Sequence, residues 1–192
     1  MPNDYIRTDE GADVVCSLEM LLLSLKQINN NDQHWKWVII TLHSAFQGAM
    51  VCHLSGTANI GALTKTDANK WIKHFNDRKE DPPNKDKLAS ARELFKRFSG
   101  EEARIEPTNS EVILVTEEQK KAFALLHELR NPFIHFQPVS WSIEIAGLPN
   151  MAIQILILIE EILNDFWSFC HADKDKLHDL IKEIRSEISS LN

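Results

Sequence analysis

DQHWKWVIITLHSAFQGAMVCHL, residues 32–54, sets apolar side chains at Trp35, Val38, Ile39, Leu42, Phe46, Met50 and Leu54. Steps of three and four line one face of an α-helix, whereas a half-buried strand would alternate at every second residue. The segment before it repeats the pattern: Val14, Leu18, Leu21, Leu22 and Leu25 mark a helix over 13–29, which Asn29-Asn30-Asn31-Asp32 ends. Two long amphipathic helices joined by so short a turn predict an antiparallel pair. His43, Gln47 and His53 are polar positions on the second of them, and core hydrogen bonds are the expected use of such residues.

Past residue 54 the pattern loosens. Residues 55–64 carry two glycines and read as a loop, followed by a short helix over 67–75 with Thr66 as its cap. NDRKEDPPNKDK is a charged surface linker, and a helix over 88–98 is stopped by Gly100. Residues 55–110 therefore form an irregular helical insert. Thr116 and Gln119 have the spacing of a capping box and open the helix that leads to Arg130. A core helix over 150–169, preceded by Leu148-Pro149, and a last helix over 174–189 with Leu177, Leu180, Ile181, Ile184 and Ile188 on one face complete the set. Glu111–Val115 is β-branched, and Val139, Trp141, Ile143 and Ile145 alternate, so a short two-stranded β-ribbon is expected there. The fold class is all-α: an up-and-down helical bundle in one domain over 1–192.

Composition sets bounds on function. With 192 residues, 43% of them hydrophobic, the chain can bury one sizeable core, and six glycines and seven prolines are too few for a disordered chain. MPNDYIRTDEGADVV lacks the basic start and apolar run of a secretory signal. The apolar run from Met151 to Ile159 is broken by Gln154 and followed by Glu160 and Glu161, too short and polar to span a bilayer. Cys16, Cys52 and Cys170 are far apart, which suits buried thiols in a reducing cytoplasm. Neighbours on a helix diverge by about 100°, so neither Cys52-His53 nor Cys170-His171 reads as a metal site, and no metal or cofactor is expected. The net charge of −7 repels nucleic acid overall. Lys85, Lys87, Arg92, Lys96 and Arg97, with Lys120 and Lys121 further on, could still make a local basic patch.

The densest chemistry lies in HELRNPFIHFQPVSW, residues 127–141. Within six residues Arg130 offers a permanent planar cation, Asn131 an amide and His135 an imidazole that moves protons near neutral pH. Phosphodiester cleavage can use that set without a metal. Pro132 has no N–H to return to the carbonyl of Glu128, so the helix either kinks there or stops and restarts with Asn131 as its cap. In the continuous case His127, Asn131 and His135 share one face, with Arg130 beside it.

An Arg-Asn followed by His, five residues after the Arg, in a nearly all-helical chain resembles the HEPN superfamily (higher eukaryotes and prokaryotes nucleotide-binding). The resemblance covers the bundle from about Gly11 to Phe169, and its specific part is the six-residue motif. It implies a metal-independent endoribonuclease of a toxin or defence system, with Arg130, Asn131 and His135 catalytic. Two motifs would meet across a homodimer, and an antitoxin or other regulatory protein would control it. RNA would be cut to 2′,3′-cyclic phosphate and 5′-hydroxyl ends. His127, Lys120 and Lys121 are the accessory or binding positions. The chain departs from modification-controlled members of that superfamily at Gln137, where those carry Tyr; its only tyrosine is Tyr5. Two other readings stand beside this one. In the first, Arg130 pairs with an acid such as Glu128 or Glu144, and His135 and Phe136 pack beneath the core helix. In the second, the groove is a non-catalytic site for a nucleotide, RNA or a protein.

Overall fold

The computed structural model describes residues 5–77, 82–83, 86–105, 109–135, 138 and 140–191, and over these its regular structure is helical. The helices are α1 (Glu10–Leu25), α2 (Trp35–Leu54), α3 (Lys65–Asp77), α4 (Ala91–Phe98), α5 (Glu117–Ile134), α6 (Leu148–Asn164) and α7 (Lys174–Ser189), with one 3-10 turn (Asp32–His34) entering α2. The chain is an all-α bundle. α2 is its axis, packing against α1, α4, α5 and α6, while α6 also meets α5 and α7, and α7 closes back on α1. Of the described segments, Asp32–Leu54 is long and apolar enough to cross a membrane, yet Val38, Ile39, Leu42 and Phe46 are spent inside the bundle.

Caps written in the sequence fix most helix starts. Asp9 takes the N–H of Ala12 at 2.8 Å, and Ser90 with Glu93 and Thr116 with Gln119 each close a capping box. α3 begins one residue before its expected cap, and the hydroxyl of Thr64, not Thr66, takes the N–H of Asp67 at 3.3 Å. Gly48 lets α1 approach α2, since a Cβ there would lie 2.7 Å from Cγ2 of Val14.

The insert belongs to the core. Phe46 of α2 lies edge-on to Phe95 and Phe98 of α4 and to Phe123 of α5, and Phe95 stacks on Phe123 at 4.1 Å. Arg97, expected in the basic patch, is wholly buried: its Nη1 donates to the carbonyls of Gly61 at 3.2 Å and Leu63 at 2.7 Å. Glu102, its nearest carboxylate, lies 3.9 Å from Nε and pairs with Lys65 at 2.9 Å. Arg97 thus ties the loop before α3 to α4. Gly61 makes that contact possible, because a Cβ on it would fall 1.8 Å from the carbonyl oxygen of Leu54. Gly61→Ala is expected to force the backbone apart and cost about 1–3 kcal/mol. A urea midpoint equal to that of the wild type would show that the loop yields freely.

Three sequence expectations are corrected. Glu111–Val115 and the described part of 139–145 form no ribbon; Ile113 donates its N–H to the carbonyl of Phe98 at 3.3 Å and packs on the core from an irregular segment. Val139 lies outside the described residues. α6 ends at Asn164 rather than Phe169, because Asp165 turns extended and its Oδ1 captures the N–H groups of Trp167 and Ser168 at 3.0 and 2.9 Å. Cys16 and Cys170 are exposed, against expectation, while Cys52 is half-buried and packs against the core.

His53, rather than its neighbour Cys52, is the buried member of that pair. Its Nδ1 lies 2.9 Å from Oγ of Ser168, which also meets Oδ1 of Asp165 at 3.0 Å, and its Nε2 lies 3.1 Å from the Arg104 guanidinium. Nε2 also lies 2.9 Å from the carbonyl oxygen of Glu111, so the ring bridges Ser168 on one side and Arg104 with that carbonyl on the other. Arg104 and Ser110 carry the network into the segment before α5: Arg104 holds the carbonyl of Glu111 at 2.6 Å, and Ser110 donates to the carbonyl of His53 at 2.5 Å. That segment, α2 and the end of α6 are thereby clamped together, which sets where α5 starts.

Candidate functional site

α5 runs unbroken through Pro132, so of the two backbone readings of the motif the continuous one is realised. The carbonyl of Glu128 has no N–H four residues on, and the last turn closes instead with the N–H of His135 on the carbonyl of Asn131 at 2.9 Å. His135 caps the helix at φ −110°, ψ 55°, outside helical geometry, and its side chain is exposed. Asn131 is exposed as well, and Arg130 is half-buried.

The Nη1 of Arg130 donates to Oδ1 of Asn131 at 3.2 Å. Among the described residues no carboxylate lies within ion-pair distance of Arg130; Glu128 and Glu144, its expected structural partners, are exposed. His135 does not pack beneath the core helix, and Phe136 lies outside the described residues. Arg130 lies within α5 and His135 just past its last helical residue.

One turn back from Asn131, His127 is partnered. Its Nδ1 lies 3.0 Å from Nε2 of His43 in α2, the two rings stack at 5.3 Å between centroids, and Phe123 supports the His127 ring at 5.8 Å. His43 is buried, and burial first, then the charges of His127 and Arg130, pushes its pKa down to about 4. His127 is also lowered, by burial and by the Arg92 and Arg130 guanidiniums. Both imidazoles are therefore neutral at pH 7, one donating its N–H and the other accepting. Cation, amide and the His127 imidazole lie along one stretch of α5, with His43 of α2 behind that imidazole.

The remaining accessory lysines differ. Lys120 is committed to Glu101 at 2.9 Å and Glu117 at 3.1 Å, whereas Lys121 is exposed. Of the expected basic patch, Arg97 is buried, Lys87, Arg92 and Lys96 are exposed, and Lys85 lies outside the described residues. Two contributors were not singled out from the sequence as site residues. Arg92 was read only as part of the patch, and its charge reaches His127. His43 was read as a core polar residue. Its position on an otherwise apolar stripe was the available signal; its partner, 84 residues away, was not.

Beside the motif is a cleft of about 650 Å³ between the 3-10 turn with the start of α2 on one side and residues 140–145 on the other. Phe133, which lies between Asn131 and His135, is part of its wall and packs against Trp141 at 4.7 Å between centroids. Among the described residues no group of three or more His, Cys, Asp or Glu side chains has the arrangement of a metal site. Comparison of the chain with protein-family models, curated proteins and solved structures returned no match in any of the three.

Proposed function

We propose that this chain is a HEPN-type, metal-independent endoribonuclease that works as a homodimer in the cytoplasm under the control of an antitoxin or regulatory protein. The observation that carries the reading is the state of the motif. Arg130, Asn131 and His135 stand at the accessible end of α5, and among the described residues the only side chain that engages the Arg130 guanidinium is Asn131. A structural arginine would be expected to pair with an acid, and a structural histidine to be enclosed.

In the proposed reaction His135 of one copy takes the proton of a ribose 2′-hydroxyl. The 2′-oxygen attacks phosphorus, the bond to the 5′-oxygen breaks, and the protonated His135 of a second copy returns a proton to that leaving oxygen. Arg130, held by Asn131, neutralises charge building on the phosphoryl oxygens. The second copy is drawn in because two such motifs meet across a homodimer in the superfamily that the chain resembles.

The test is cleavage of a mixed RNA substrate in EDTA. Wild-type protein should leave 2′,3′-cyclic phosphate and 5′-hydroxyl ends, and His135→Ala and Arg130→Ala should each slow cleavage by at least about 100-fold. Undiminished cleavage by His135→Ala, or no cleavage by the wild-type dimer, would overturn the proposal and leave a binding module.

A further inference from the structure

The cleft beside the motif is built from two kinds of surface. Trp35, Phe133 and Trp141 supply flat apolar faces, with Trp35 buried and the other two half-buried and in mutual contact. Lys36, Gln33 and Ser142 bring a cation, an amide and a hydroxyl to the same space. Among the described residues the side chains of Gln33 and Ser142 have no hydrogen-bond partner, so their donors and acceptors are available. Lys36 is held only over the ring of Trp37, 4.9 Å from its centroid. At about 650 Å³ the space falls within the range of small-ligand sites, which combine apolar walls with a few convergent polar groups.

Those features select among ligands. Aromatic walls favour a planar ring, the free amide and hydroxyl suit its in-plane donors and acceptors, and the lysine suits an anion attached to it. An aliphatic chain would leave the polar groups unused, and a bare anion would leave the aromatic faces unused. A base within a duplex is stacked on both sides and cannot enter, whereas an unpaired one can.

We infer that the cleft bounded by Trp35, Phe133 and Trp141 receives an unpaired nucleobase, with Lys36 on its phosphate, and so restricts the protein to single-stranded RNA. This rests on the nuclease reading above for its RNA context, because Phe133 lies within the motif assigned to the chemistry, between Asn131 and His135. Base binding and bond cleavage are measured separately, so either can fail alone.

The experiment is titration of the full-length protein with adenosine, guanosine, cytidine and uridine 5′-monophosphates, followed by tryptophan fluorescence, with ribose 5-phosphate and inorganic phosphate alongside. At least one nucleotide should quench the emission saturably and the two base-free phosphates should not. Trp141→Ala should weaken that binding by about 5- to 150-fold, the equivalent of 1–3 kcal/mol of stacking. Gln33→Ala, on the exposed turn, tests the same site with little risk to folding and should weaken it less. Saturable quenching by a wild-type protein that cuts no RNA would keep the cleft and sink the nuclease. RNA cleavage with no nucleotide binding up to millimolar concentration, or with duplex cut as fast as single strands, would sink the cleft. Equal binding by wild type and Trp141→Ala would do the same.

Discussion

Lowering the pH from 7 to 5 should cost this protein about 4 kcal/mol of folding stability, roughly 2 kcal/mol from each of two buried histidines. Burial holds both His43 and His53 down to about 4, against an ordinary value of 6.5. Around His43 the opposing charges are His127 and Arg130; around His53 Arg104 lowers the pKa further and Asp165 partly offsets it. In the unfolded chain each imidazole takes up its proton near 6.5, while in the fold it resists until about 4. Between those values the unfolded state binds more protons, so stability is whole above pH 6.5 and is lost as the pH falls toward 4. Urea denaturation at half-unit steps from pH 7.5 to 5 measures the slope. His53→Gln, which cannot titrate, should flatten it by about half, even if its absolute stability is lower. A stability that does not change between pH 7 and 5 would mean that water reaches both imidazoles.

The same two histidines show where a sequence stops being informative. The limits of α7 and the capping box of α5 follow from residues within one turn of each other, and both are realised as read. The His43–His127 contact joins positions 84 apart, and the His53–Ser168 contact positions 115 apart; no local pattern encodes either. Apolar continuity also misled at the end of α6. Phe166 and Trp167 extend the hydrophobic run, yet they are 78% and 53% exposed, since the side chain of Asp165 had already diverted the backbone. The expected β-ribbon failed for a related reason. Ile113, Val115 and Ile143 carry the composition of strands because they pack partly buried on the core, and packing on a surface does not require a ladder. Arg97 is the inverse case: a charge read as solvent-facing is buried because loop carbonyls needed its donors. The motif was legible as a cluster of groups able to do chemistry. The aromatic cleft was not, since its walls come from residues 32–36, from Phe133 and Pro138 and from residues 140–145, which meet only in the fold.

Phe46→Ala is expected to be the most damaging single truncation, costing about 3–5 kcal/mol and lowering the melting temperature by roughly 6–20 °C. Phe46 is 1% exposed and its ring is the point where α2, α4 and α5 meet, edge-on to Phe95, Phe98 and Phe123. Removing it takes away the transfer energy of the ring and leaves a hole that three aromatic side chains on different helices cannot fill together. A domain of this kind has about 5–15 kcal/mol in hand, so the variant should still fold at low temperature, and its function can be examined. The consequence reaches the site by a short path. Phe123 supports His127, and His43 lies one turn from Phe46 on α2, so loosening the cluster frees the imidazole pair beside Arg130. The pKa of His43 should then rise from about 4 toward 6.5 as water enters. Phe46→Leu, which fills more of the volume, should recover about half of the stability. Both variants can be followed by thermal melting and by titrating the histidine ring protons. A Phe46→Ala protein that melts with the wild type would show that α4 does not help to hold α2 and α5 together, and that the insert is peripheral.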